Sequence, residues 1–202
     1  MPADSLYERL NVIMNARMKS PCIGLSKILT LSEEKRLDGV LVPREAGKGN
    51  PSGQSPLMDR ASIDILFPIP DQLPNEDTWL EIAICHTSLF TVIHSDIICC
   101  KWRIHSGNSY NFSLSNKQFK GKIVSRRKAY DLFLYEFNEF LSDLEIKKLK
   151  ALISLGTSYE RGNIWQIMFA PVALKEKLSL LGTSNAFFYR IRRFFYSLLS
   201  GW

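Results

Sequence analysis

The 202-residue sequence predicts an α+β fold: an antiparallel β-meander or small sandwich covered by helices, with an N-terminal helix and a C-terminal amphipathic helix. Three observations carry this expectation. Between residues 62 and 124 apolar residues alternate along short segments with turn residues between them, and no helical segment separates them. From Ala129 onward the apolar spacing becomes helical. The last seventeen residues, AFFYRIRRFFYSLLSGW, then write one broad apolar stripe beside arginines.

Ser5-Leu6-Tyr7-Glu8 has the form of a capping box, and Leu6, Leu10, Ile13 and Met14 follow at helical spacing. This predicts a helix from about Leu6 to Met18 with those four residues inward. Tyr7-Glu8-Arg9-Leu10 also fits the loose Tyr-x-x-Leu sorting pattern, although the buried face of the helix already accounts for Leu10. Ile23 to Leu31 is a short apolar run, and Val40-Leu41-Val42 reads as a brief strand. Arg44 to Pro56 holds three Gly, two Pro and two Ser without a large apolar residue, which reads as a flexible linker. The expected organisation is therefore a helical arm over residues 1–43, a linker over 44–56, an α+β core over 57–182 and an amphipathic basic helix over 183–202.

Within the core, strands are expected at Ser62–Ile69, Trp79–Cys85, Leu89–Ile93, Ile97–Ile104, Tyr110–Leu114 and Phe119–Val124. Ala129, Leu132, Phe133, Phe137, Phe140 and Leu141 mark a helix with an aromatic face. Ser142-Asp143-Leu144-Glu145 is a second capping box, opening a helix with Leu149, Leu152 and Ile153 inward and an end at Gly156. Ile164–Phe169 reads as another strand and Pro171–Leu181 as a helix. Thr183, Ser184 or Asn185 can cap the last one.

Charge is uneven along the chain. Residues 1–101 hold 10 Lys and Arg against 13 Asp and Glu, whereas residues 102–202 hold 16 against 7. A basic half points to a polyanionic partner: phospholipid, nucleic acid or an acidic protein. The cations Lys117, Lys120, Lys122, Arg126, Arg127 and Lys128 cluster at the expected sheet-to-helix junction as a candidate polyanion-binding set. No apolar run is long enough to cross a bilayer, and the N-terminus lacks a secretory profile. With Cys22, Cys85, Cys99 and Cys100 in no framework spacing, the expectation is reduced thiols in an intracellular protein.

Catalytic and metal chemistry find no support in the residue spacing. His86, His94 and His105 lie near the cysteines in sequence, but no Cys-x-x-Cys or His-Glu-x-x-His pattern joins them. Neighbours on a strand point apart, which separates Cys85 from His86 and Cys99 from Cys100. No nucleophile elbow or phosphate-cradling glycine loop is present. The expectation is a non-enzymatic protein with no metal and no cofactor.

The final stripe carries the functional expectation. Phe187, Phe188, Ile191, Phe194, Phe195, Leu198, Leu199 and Trp202 share one side, while the other side carries Tyr189, Arg190, Arg192 and Arg193 with no acidic residue in the stretch. Such a helix suits the boundary between anionic headgroups and acyl chains. Size, charge and element order, with the basic-apolar segment Gly24-Leu25-Ser26-Lys27-Ile28-Leu29, make the chain similar to matrix proteins of enveloped negative-strand RNA viruses, rhabdoviruses among them. That resemblance implies a self-associating structural protein on the cytoplasmic face of a membrane and in the virion, bridging anionic lipid to a nucleocapsid. An RNA-binding accessory protein using the Lys117–Lys128 cations, and a protein-interaction module whose last helix fills a partner's groove, are the alternatives.

Overall fold

Strand β1, Cys22–Leu31, is buried almost without interruption on both faces, and the first part of the protein is built on it. The computed structural model describes residues 4–15, 21–35, 37–104 and 114–199, with side chains through Arg192 in the last helix. The chain divides into two compact units, one of residues 1–69 and 76–109 and the other of residues 110–200 with 70–75. This division falls near residue 110, not at the expected linker.

In the first unit, β1 pairs in parallel along its length with β4, Thr91–Arg103. Its other edge takes two short antiparallel partners, β2 (Leu41–Val42) near its end and β3 (Leu57–Met58) near its start. Parallel strands need a long crossover, and the chain supplies one through helices α2 (Arg60–Leu66) and α3 (Asp77–His86). The α+β class therefore stands, as does the N-terminal helix, α1 (Ser5–Asn15). The sheet is mixed instead of a meander, because its long pair is parallel.

Two of the expected strands in this unit are helices. Asp59 caps α2, its Oδ1 accepting the Ser62 N–H at 2.8 Å, and Ser62 and Leu66 are buried at helical spacing. The alternating Ile63, Ile65 and Phe67 are left exposed. Helix α3 buries Trp79, Leu80, Ile82, Ala83 and Ile84, and Trp79 Nε1 donates to Leu66 O at 3.2 Å. A helix that is apolar on most sides satisfies an alternating pattern as well as a strand does, so periodicity could not separate them. Leu89–Ile93 and Ile97–Ile104, expected as separate strands, are mostly contained in the single strand β4.

Residues 44–56, expected as a free linker, are strapped across β1. Ser26 N–H donates to Ser55 Oγ, which donates back to Ser26 O, and Asn50 N–H donates to the same carbonyl. A Cβ on Gly49 would come within 2.3 Å of the Leu25 carbonyl carbon, so only glycine lets the strap lie this close. Lys27, 3% exposed, reaches from β1 to donate to Pro43 O and Glu45 O and pairs with Asp96 at 3.1 Å. Asp96 in turn accepts the Gly47 N–H.

Helix α1 sits with Ile13 over Gly24, where a Cβ would clash at 2.5 Å. Its buried residues are Ser5 and Arg9, one turn before Ile13, because Arg9 donates to Ser55 O. Leu6, Leu10 and Met14, expected inward, are consequently exposed together with Tyr7.

The second unit is helical. Its α4 (Asn116–Phe137) absorbs the expected strand Phe119–Val124 and starts at a capping box in which Ser115 and Gln118 bond each other's backbone N–H. A short 3₁₀ turn at Asn138–Phe140 leads to α5 (Asp143–Glu160), which opens on the expected Ser142–Glu145 box. Phe133 and Phe137 stack at 4.5 Å, and Leu149, Leu152, Leu155 and Tyr159 are buried. Gly156 does not end α5. The stop is Gly162, at φ 73°, where Gly162 N–H donates to Tyr159 O and Asn163 N–H to Ser158 O in a Schellman motif. Asn163 then caps α6 (Ile164–Phe169), a helix where a strand was expected. It is followed by α7 (Leu174–Ser184) and α8 (Ala186–Leu199), whose first turn Asn185 caps by accepting the Phe188 N–H at 2.9 Å. Of the expected strand at 110–114, residues 110–113 lie outside the described residues.

Candidate functional site

Helix α8 is seated by residues that its sequence placed on the outer, polar side. Tyr189 is 6% exposed, its hydroxyl donates to Leu114 O at 3.0 Å, and its ring centroid lies 5.5 Å from that of Phe119. One turn on, the Arg192 guanidinium lies over the same Phe119 ring at 5.3 Å, and its aliphatic stem passes the open space at Gly182. Residues three apart share a helix face, so Tyr189 and Arg192 form one anchoring seam.

That seam turns the described part of the apolar stripe outward. Phe187 is 67% exposed, and Phe188, Ile191 and the neighbouring Arg190 are exposed as well. Phe187 and Phe188 meet edge to face at 5.7 Å. Arg192 departs from its expected role, because its guanidinium is drawn back over an aromatic ring. The side chains of Arg193, Phe194, Phe195, Leu198, Leu199 and Trp202 lie outside the described residues.

More apolar surface lies on the preceding helices and was missed in the sequence. Trp165 and Phe169 of α6 are exposed and stack on each other at 6.4 Å, with Met168 beside them; Leu174 and Leu178 of α7 are exposed one turn apart. Reading Ile164–Phe169 as a strand hid the one-turn spacing that pairs the two rings.

The basic set sits on α4 and does not converge. Lys120 Nζ donates to Glu160 O at 3.1 Å and lies 5.4 Å from the Tyr159 ring. Arg127 donates to Leu152 O and lies 4.8 Å from the Tyr130 ring. A Cβ on Gly156 would come 2.7 Å from Arg127 Nε, so that glycine makes room for the guanidinium. Lys120 and Arg127, seven residues apart, thus fasten α4 to α5 through carbonyls instead of offering their charge to a ligand. Lys117 and Lys128 project in a second direction, Lys122 and Arg126 in a third. At the other end of α4, an open groove of about 690 Å³ is lined by Asp131, Glu136 and Glu139, with Tyr135 at its edge. An anionic surface is repelled there.

Among the described residues no group of three or more His, Cys, Asp or Glu could hold a metal ion. His94 Nδ1 accepts the Gly49 N–H at 3.1 Å; burial, reinforced by Lys48 and opposed by Glu45, lowers its pKa. No described helix is long and apolar enough to cross a membrane. No family model, curated protein or solved structure matches the chain.

Proposed function

We propose that this is a non-enzymatic, matrix-like structural protein that binds the cytoplasmic face of an anionic membrane peripherally. The observation that carries the reading is the seating of α8: Tyr189 and Arg192 hold it from one side and leave Phe187, Phe188 and Ile191 outward with Arg190 among them. Aromatic and aliphatic side chains enter the interfacial layer, while Arg190, and Arg193 from its place in the sequence, meet phosphate at headgroup depth. Each cation near such a surface contributes on the order of 1 kcal/mol. Self-association and the bridging of lipid to a nucleocapsid belong to the same matrix plan.

The test is co-sedimentation of the full chain with phosphatidylserine and with phosphatidylcholine vesicles. Binding is expected to require the anionic lipid and to weaken as salt rises. It is also expected to fall at least about tenfold in the triple variant F187S/F188S/I191S, which removes the outward apolar residues and keeps the Tyr189 and Arg192 anchors. Equal pelleting of wild type and variant would end the proposal. The RNA-binding alternative rests on Lys117, Lys122, Arg126 and Lys128, since Lys120 and Arg127 are committed to α5 carbonyls. Oligonucleotide binding with a steep salt slope, lost in K122A/R126A, would favour it.

A further inference from the structure

Cys99 and Cys100 stand side by side, although neighbours on a regular strand point apart. The cause is a β-bulge: Lys27 pairs with Ile98 and Ile28 with Cys100, so Cys99 is an extra residue in β4. The alternation slips there, and both thiols turn toward Gln54. Cys99 Sγ approaches Gln54 O at 3.8 Å, Cys100 Sγ approaches Gln54 Oε1 at 3.7 Å, and the two sulfurs are 3.7 Å apart. Cys99 is buried and Cys100 half-buried, so the pair is reached from the Cys100 side.

A second observation points to the same place. Arg9 is 7% exposed, and its guanidinium donates to Ser55 O, while its Nε has no hydrogen-bond partner among the described residues. Ser55 adjoins Gln54, whose backbone and side-chain oxygens meet the two thiols. A buried guanidinium that reaches a neutral carbonyl and leaves its Nε without a partner among the described residues is costly and favours an anion nearby. The thiols can supply that anion only by losing protons.

We propose that Cys99 and Cys100 form a paired-thiol site that binds one thiophilic metal or metalloid centre through both sulfurs, with Arg9 as the counter-charge behind it. Sulfurs held at about 2.3 Å from one tetrahedral centre lie about 3.8 Å apart, close to the spacing already present. A direct sulfur–sulfur bond fits less well. It needs about 2 Å between the sulfurs, and adjacent Cα atoms, about 3.8 Å apart, are closer than the span of ordinary disulfides. A bridge of one atom suits this bulge. Binding converts both thiols to thiolates without electron transfer. Each S–H bond is replaced by a bond from sulfur to the centre. With a divalent ion such as Zn²⁺ the two protons pass to solvent; with an arylarsenoxide they leave on the arsenic-bound oxygen as water.

The experiment uses the reduced full chain, with Zn²⁺ and phenylarsine oxide as separate probes. It reads alkylation of each cysteine by peptide mass spectrometry and adduct stoichiometry by intact mass. One centre per chain is expected, protecting Cys99 and Cys100 together and leaving exposed Cys85 reactive. C100S, at a half-buried position, is expected to bind at least about 100-fold more weakly, because a two-point attachment becomes a single one. C99S should do the same, and C85S should match wild type. Protection by Zn²⁺ identifies a divalent metal as occupant, and protection by the arsenical alone a trivalent metalloid. Protection by neither, or full binding in C100S, overturns the site.

Discussion

Gly49 and Gly121 show how the same residue type takes opposite roles. At Gly49 an added Cβ meets the backbone of Leu25 at 2.3 Å, and neither strap nor strand can yield without losing hydrogen bonds. At Gly121, on the exposed side of α4, it meets nothing within 4 Å. Gly49→Ala is expected to destabilise its unit by about 1–3 kcal/mol, as overpacking does. Gly121→Ala should stabilise its own unit by about 1 kcal/mol through helix propensity. Urea unfolding, followed separately by near-UV and far-UV circular dichroism, checks both signs. Single residues were only partly legible in advance. Tyr189 looked like part of a polar helix face because a phenol is amphipathic, and partners far back in the chain, Leu114 and Phe119, decide that its ring turns inward. Cys99 and Cys100 looked opposed because the bulge depends on pairing with Lys27 and Ile28.

The elements that could be read from sequence were those specified locally. The Ser142–Glu145 capping box, Phe133 and Phe137 of the expected aromatic face, and helix α8 each depend on residues within a turn or two, and all are present; Phe140, expected on the same face, is exposed in the 3₁₀ turn that follows α4. Helices α2, α3 and α6 were misread because short apolar runs carry no decisive period, and burial on several sides removes the polar residues that would supply one. The strap over residues 44–56 was illegible for a different reason. Its Gly, Ser and Pro content suits free chain, but its order comes from partners on β1, β4 and α3. One of those partners titrates. The fold lowers the His94 pKa from the ordinary value of about 6.5, chiefly by burial and then by Lys48, and the neutral Nδ1 accepts the Gly49 N–H. The unfolded chain therefore binds the proton more readily than the fold does. The contribution is fully present above about pH 6.5 and is lost as pH falls through the lower folded value. Protection of the Gly49 amide, corrected for its intrinsic exchange rate, should fall in that window and become independent of it in H94L. Asp96 acts further into acid, since the Gly47 N–H and then Lys27 hold its pKa below the usual carboxylate range.

At the scale of the whole molecule, the charge imbalance legible in the sequence follows the structural division. The excess of cations lies on the helical unit, which also carries the outward rings of α6 and α8. Part of that charge is internal fastening between α4 and α5, a distinction that net charge cannot make. The placement of β1 has a consequence for how the protein is made. Its main partner, β4, begins at residue 91, so during synthesis a finished apolar strand must wait about seventy residues for its mate. A ribosome stalled before Thr91 is expected to present β1 to chaperones and proteases, and one stalled after the strand has cleared the exit tunnel to present it shielded. Limited proteolysis of the two nascent chains reads the difference, and equal resistance would mean that the strand finds shelter before its partner exists.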